Sequence, residues 1–182
     1  MFNMLASAIP DPLHPAIVHL PIALAVLVPV FAVGALIAIR RKAPPHGAWG
    51  VTVALLLALT ASSWVAIETG EDQEERVERV VADAPLGTHE DAADQFLWLS
   101  AGVLIVAGVG LLSGRVGTSA RILATAGSAA LLIAGYRVGH SGGDLVYTHG
   151  AASAYVPSTA PTALSAGDSR DGSATDRDDD SR

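Results

Sequence analysis

Five histidines lie beside long apolar segments of the sequence, where an imidazole could bind a metal ion or a haem iron: His14, His19, His89, His140 and His149. Neutral imidazole is the commonest metal ligand in proteins and titrates near physiological pH. The chain contains no cysteine, which excludes disulfides, thiolate metal sites, cysteine-ligated iron–sulfur clusters and c-type haem attachment. Any metal or haem must therefore be held by histidine, methionine or carboxylate side chains.

The elements that must position these histidines are apolar blocks. The sequence is 51% hydrophobic and only 16% charged, whereas about a quarter of the residues in soluble domains are charged. A helix of roughly 20 apolar residues crosses a bilayer core. The blocks predict four spans, at about residues 15–39, 49–67, 96–112 and 122–138. We therefore expect an all-α fold, an integral membrane four-helix bundle formed by residues 1–152.

The remaining residues, 153–182, are rich in Ser, Thr, Ala, Gly and Asp and end in DGSATDRDDDSR. This composition cannot bury a hydrophobic core, so it predicts a disordered polar and acidic tail. The formal net charge of the whole chain is −7, which argues against a nucleic-acid partner. The expected partner is the lipid bilayer.

The charges of the loops predict the orientation in the membrane. Basic residues follow span one, at positions 40–42, and span three, at Arg115 and Arg121. The loop between spans two and three, residues 71–95, instead contains nine acidic residues. By the positive-inside rule the two basic loops are cytoplasmic. We thus expect a multi-pass protein of the inner (cytoplasmic) membrane with both termini on the periplasmic or extracellular side.

Local signals predict the structure around the histidines. Pro15 suits the first position of a helix, and Pro21 lacks the N–H that a regular helix uses, so the first turns of span one should be loosened. Residues 72–82 predict a short amphipathic helix ended by Pro85. Gly142, followed by a second glycine, predicts a sharp turn after span four, with residues 144–150 as a short extended or re-entrant segment.

This topology gathers His14, His19, His89 and His140 at one membrane level, with His149 as a further candidate. Ionisable groups at membrane depth are costly and usually functional. Two imidazoles from facing helices can ligate haem b. His19 with His89 is the preferred pair, and His14, His140 and His149 are the alternatives. Since His14 and His19 are five residues apart, they lie on different faces of a regular helix.

A non-haem metal ion is the second candidate for the same level. Glu68, at the end of span two, would join His19 and His89 as a ligand. Imidazole with carboxylate suits Zn²⁺, Cu²⁺ or Fe²⁺. The sequence has no HExxH motif and no serine nucleophile elbow, so we expect that the chain is not an enzyme on its own.

Four motifs occur in a fixed order: HPAIVHLPIAL, a glycine that closes span two (ETG), a histidine that opens span three (THE), and GGDLVYTHG after span four. In these motifs the sequence resembles a bacterial and archaeal family of predicted membrane proteins, domain of unknown function 2231, over residues 10–152. The resemblance implies a four-span module in which His14, His19, His89 and His149 match the motif positions. Family members occur beside or fused to Rieske-type and cytochrome c-type domains, which implies a role near electron transfer.

Two functions remain open at this point. The first is a redox-related module that binds haem b or a histidine-ligated metal ion and exchanges electrons with a quinone or with a periplasmic or membrane redox protein. The second is a non-catalytic membrane anchor or an accessory or assembly subunit, in which the histidines are structural. Small residues in spans three and four, such as Gly102, Gly108 and Gly127, suit close helix packing, either within one bundle or in a homo-oligomer.

Overall fold

Helices account for almost all of the chain that the structure, a computed structural model, describes, which is residues 12–156. They are α1 (His14–Ile17), α2 (His19–Arg40), α3 (Pro45–Val77), α4 (Asp83–Val109), α5 (Gly114–Tyr147) and a 3-10 helix (Ala151–Tyr155). No strand occurs in this range. The all-α prediction is confirmed.

The predicted tail, residues 153–182, overlaps the described residues at its start. Residues 153–155 belong to the 3-10 helix, and residues 157–182, to which most of the disorder prediction applies, lie outside the described residues.

Four helical segments are long and apolar enough to cross a membrane: His14–Arg40, Pro45–Val77, Asp83–Val109 and Gly114–Tyr147. The second has 33 residues and the fourth has 34. At 1.5 Å per residue each is about 50 Å long, which exceeds a bilayer core of about 30 Å. Helical structure therefore continues well beyond the predicted spans 49–67 and 122–138. Helix α4 ends at Val109, three residues before the end of the predicted span 96–112.

The four long helices form a closed ring. Helix α2 packs on α3 and α5, and α4 packs on the same two helices, so α2 and α4 are diagonal to each other. Val28, Leu56, Ala107 and Leu131 are fully buried at the centre of the core. Large apolar side chains, such as Ile105 at 70% exposure, cover the outside. An apolar exterior around an apolar core is typical of a bundle surrounded by lipid.

The first segment is interrupted at Val18, which separates α1 from α2. Pro21 explains the interruption, since it cannot donate to the carbonyl of Ile17 one turn earlier. The chain still forms bonds on both sides of the gap, from Val18 N to His14 O and from Ile22 N to Val18 O. Val18 itself keeps right-handed helical dihedrals, so the interruption is confined to this one residue.

The acidic loop does not form the separate helix that was predicted at residues 72–82. Helix α3 continues to Val77, and α4 already begins at Asp83. Pro85 therefore lies in the first turn of α4 and does not end a helix. A proline is tolerated there because the N–H groups of a first turn have no acceptor within the helix. We call this end of the bundle, with the acidic residues 71–95, the acidic end.

The segment after span four also differs from the prediction. Gly142 is helical within α5, which continues without a turn to Tyr147. The turn comes at Gly150, whose φ of 72° is left-handed, a conformation that glycine adopts at little cost. The following 3-10 helix folds back on α5 and α3. A second small core, formed by Val77, Val81, Leu86, Leu145 and Ala151, packs there.

Two buried donors bind the end of α4 at the opposite end of the bundle. Trp49 Nε1 donates to Ala107 O at 2.9 Å. Arg121 donates from Nε to Gly110 O at 2.7 Å and from Nη2 to Leu112 O at 3.0 Å. The last carbonyls of a helix have no partner within the helix. Arg121 is therefore a buried helix cap rather than a charge of the loop.

Candidate functional site

His14 connects the start of the bundle to α3. Its Nδ1 lies 2.8 Å from the carbonyl oxygen of Ala66. A carbonyl oxygen can only accept, so Nδ1 carries the proton and donates it. In the neutral ring this leaves Nε2 with a free lone pair. Thr69 Oγ1 lies 3.5 Å from the same Nδ1 and 3.0 Å from the carbonyl oxygens of both Val65 and Ala66, either of which can accept its proton.

His89 makes the corresponding contact between α4 and α5. Its Nδ1 lies 3.0 Å from Ser141 Oγ. Ser141 Oγ also lies 3.0 Å from Val138 O, and when its proton is donated to that carbonyl, Ser141 Oγ accepts from His89. A hydrogen bond joins His89 to the Val138 backbone as well. In that arrangement His89, like His14, is the Nδ1–H tautomer and its Nε2 carries the free lone pair.

A helical glycine receives each imidazole. A Cβ at Gly70 would lie 3.2 Å from Cε1 and 4.0 Å from Nε2 of His14. A Cβ at Gly142 would lie 3.1 Å from Cε1 and 3.8 Å from Nε2 of His89. Each ring therefore presses its Cε1–Nδ1 edge on a helix backbone and directs Nε2 away from it. Any larger residue at either glycine would push the ring outward.

The two imidazoles belong to one layer of the bundle. His14 and His89 are half-buried and close enough to interact electrostatically. Gly70 and Gly142 lie on α3 and α5. Each long helical segment thus contributes one residue to this layer, which we call the imidazole layer: His14, Gly70, His89 and Gly142. The histidines come from the two diagonal segments.

The other candidate residues lie outside this layer. His19, on which the preferred haem pair with His89 depended, is exposed. Its five-residue separation from His14, across the break at Val18, gives it a different face, and His14 takes the inward position. Glu68 is exposed as well.

His140 and His149 also have surface positions. His140 pairs with Asp144 at 3.3 Å, with both side chains more than half exposed. His149 lines an open cleft of about 320 Å³. Ser141, the partner of His89, lines the same cleft, so this cleft runs beside the imidazole layer.

The donor set decides which group the site suits. Among residues 12–156 no cluster of three or more His, Cys, Asp or Glu side chains is arranged to hold a metal ion. The proposed set His19, His89 and Glu68 is accordingly not assembled. The imidazole layer offers two nitrogen donors. Ligating histidines usually donate their other ring N–H to a carbonyl or similar acceptor, which fixes the ring, and both histidines here do so. Two nitrogen donors therefore suit a metal whose remaining ligands come from a cofactor rather than from the protein.

Sequence reasoning identified His14 and His89 as candidates but not the residues that orient them. Ala66, Thr69 and Ser141 are inconspicuous in the sequence, and the glycine pair at Gly142 predicts a turn rather than a helix. A repeated pattern in the sequence could have identified these orienting residues: TGED at residues 69–72 and SGGD at residues 141–144. Both place a hydroxyl residue directly before the glycine.

The comparisons with known proteins agree with the fold. A family described as a predicted membrane protein, DUF2231, matches residues 10–154. No curated protein and no solved structure matches the chain. The family match spans the bundle, the imidazole layer and nearly all of the 3-10 helix.

Proposed function

Since the chain belongs to the DUF2231 family of predicted membrane proteins, we propose that it is a membrane-embedded redox module that binds haem b between His14 and His89. One observation carries the proposal: two half-buried imidazoles from diagonal segments, each with Nδ1–H engaged and Nε2 directed away from its supporting helix. When bound, haem would supply one-electron chemistry. The protein holds the two rings in one tautomer and limits their contact with water.

The remaining partners follow from the charges at the acidic end. Glu90 on α4 interacts with the carboxylates of Glu71, Glu74 and Glu78 on or beside α3. A negative rim attracts a positively charged protein and orients its approach. The proposed electron partner is therefore a redox protein with a basic docking surface. A quinone arriving from the lipid is the alternative partner for the same site.

The orientation belongs to the same proposal. Basic residues at the opposite end favour a cytoplasmic position for that end, which puts the imidazole layer on the periplasmic or extracellular side of the cytoplasmic membrane. The chain has no cysteine, so a single introduced thiol reports on one position. Ser153 at the acidic end and Ser113 in the α4–α5 turn are both exposed.

We expect a membrane-impermeant maleimide to label Ser153→Cys in intact cells and to label Ser113→Cys only after the cells are opened. The two variants are matched controls for each other, because each replaces an exposed serine. Labelling of Ser113→Cys alone in intact cells would reverse the proposed orientation.

The haem proposal is tested by titrating haem into the purified full-length protein and recording the Soret band. His14→Ala and His89→Ala are each expected to weaken haem binding by more than the roughly 10- to 100-fold that loss of an outer-shell partner costs. His46→Ala and His140→Ala, which change exposed residues outside the layer, should bind like the wild type. Loss of binding in His19→Ala but not in His14→Ala would contradict the ligand assignment.

A non-catalytic assembly module is the second candidate, and the same hydrogen bonds favour it. His14 joins α1 to α3, and His89 joins α4 to α5, so each histidine fastens two helices together. In that case His14→Ala and His89→Ala lower the thermal stability, and the wild type shows no Soret band after haem is added.

A further inference from the structure

The two imidazole contacts are related by constant sequence offsets. His89 follows His14 by 75 positions (14 to 89). On the supporting helices, Ser141 follows Thr69, Gly142 follows Gly70 and Val138 follows Ala66, each by 72 positions (70 to 142 for the glycines). Every atom that orients His14 therefore has a counterpart that orients His89.

The same offsets relate the buried positions of the first and third spans. Four residues of α2 correspond to four of α4 at an offset of 75: Pro21 to Phe96, Ala25 to Ser100, Val28 to Val103 and Ala32 to Ala107. These four are all the buried residues of α4. Corresponding positions of the two helices therefore face the core.

The second and fourth spans repeat at the offset of 72. Four buried residues of α3 correspond to four of α5: Trp49 to Arg121, Thr52 to Ala124, Leu56 to Ser128 and Leu59 to Leu131. Three of the four pairs differ in side-chain type, and the fourth pairs two leucines. What repeats is therefore the spacing of these buried positions rather than the residue types.

The packing of the helices has the same symmetry. Within each hairpin the helices pack on each other, α2 on α3 and α4 on α5, and the hairpins meet through α3 with α4 and α5 with α2. Both hairpins run from the acidic end to the opposite end and back. Parallel repeats of this kind are related by a twofold axis along the membrane normal.

From these relations we infer that residues 14–72 and 89–144 are two copies of one helical hairpin, and that Thr69–Gly70 and Ser141–Gly142 are positioning residues that hold His14 and His89 as equivalent ligands on either side of the pseudo-twofold axis. The ligand class that suits such a pair takes two like nitrogen donors from opposite sides, as the iron of a planar macrocycle does. The identity of the ligand rests on the proposed function; the equivalence of the two rings does not.

Equivalence is tested first without any ligand. Nitrogen-15 spectra of histidine-labelled full-length protein, at about pH 8 where ordinary histidine is neutral, report the tautomer of each ring. We expect His14 and His89 to show the Nδ1–H tautomer, identified by their loss in His14→Ala and His89→Ala. The exposed His46 should show mainly the Nε2–H form that free imidazole side chains prefer. An Nε2–H tautomer at either His14 or His89 overturns the inference.

The positioning role is tested next, by paired variants. Gly70→Ala and Gly142→Ala are each expected to lower haem affinity about 10- to 100-fold and to shift only their own ring away from the Nδ1–H signal. Gly102→Ala, in open space on α4, is the control and should change neither. Thr69→Ser and Ser141→Thr should retain binding, because each keeps the hydroxyl. A change in one glycine variant but not in the other contradicts equivalence.

The two experiments separate the two proposals. Matching Nδ1–H tautomers without a Soret band disprove the haem function and leave the repeat intact. A Soret band that survives Gly70→Ala or Gly142→Ala, with unlike tautomers at the two rings, disproves the equivalence of the ligands.

Discussion

Gly117→Ala is expected to prevent folding or to reduce stability by about 3 kcal/mol or more, the upper range for overpacking. A Cβ at Gly117 would overlap the carbonyl oxygen of Leu112 and would lie 2.7 Å from its carbonyl carbon. Leu112 belongs to the turn between α4 and α5, where its carbonyl accepts from Arg121. Because backbone rather than a flexible side chain is in the way, relief requires moving the turn and its cap.

Thermal unfolding in detergent, together with the yield of monodisperse protein, measures this effect. Gly102→Ala is the matched control, because a Cβ there meets nothing within 4 Å and alanine is the better helix former by about 1 kcal/mol. A Gly117→Ala protein as stable as Gly102→Ala would show that the α4–α5 turn is built differently.

Trp49→Ala is expected to cost about 3–5 kcal/mol, as for other large aromatic residues removed from a core. Trp49 is fully buried, and its Nε1 is the donor to Ala107 O. Truncation therefore leaves both a cavity and an unsatisfied carbonyl. Trp49→Phe keeps most of the ring and loses the donor, so it should cost less, about 1–3 kcal/mol.

The other two tryptophans of the chain are controls for this substitution. Trp64 is 57% exposed and Trp98 is 75% exposed, so both face the surroundings of the bundle. Trp64→Ala and Trp98→Ala should each shift the unfolding midpoint much less than Trp49→Ala. Equal losses in all three variants would contradict the core assignment.

Periodicity and charge predicted the bundle because long apolar runs allow few alternatives in a membrane. The same signals did not predict how far α3 and α5 continue beyond their apolar residues. The extension of α3 to Val77 and of α5 to Tyr147 depends on the small core around Val81 and Leu145, which forms only when distant residues meet. Gly142 suggested a turn, since its sequence neighbour is also glycine, but tertiary contact with His89 requires a small helical residue there.

The histidines illustrate the same limit. Residue type alone placed His14 and His89 among five candidate ligands. The preferred haem pair, however, contained His19 instead of His14. The choice depends on the break at Val18 and on the carbonyl of Ala66, which accepts from whichever ring faces α3. The rotation of a helix about its own axis depends on tertiary contacts. The spacing of His14 and His19 therefore predicts that they lie on different faces, but not which face points inward.

The central claim is that His14 and His89 together ligate one haem, and the spin state of the ferric haem-loaded protein tests it most directly. Two neutral imidazoles give a strong axial field, so electron paramagnetic resonance of the wild type should show a low-spin spectrum. His14→Ala or His89→Ala should convert it to high spin or remove the haem, while His46→Ala keeps it low-spin. A high-spin wild type, or a low-spin spectrum that persists in both His14→Ala and His89→Ala, would contradict the claim.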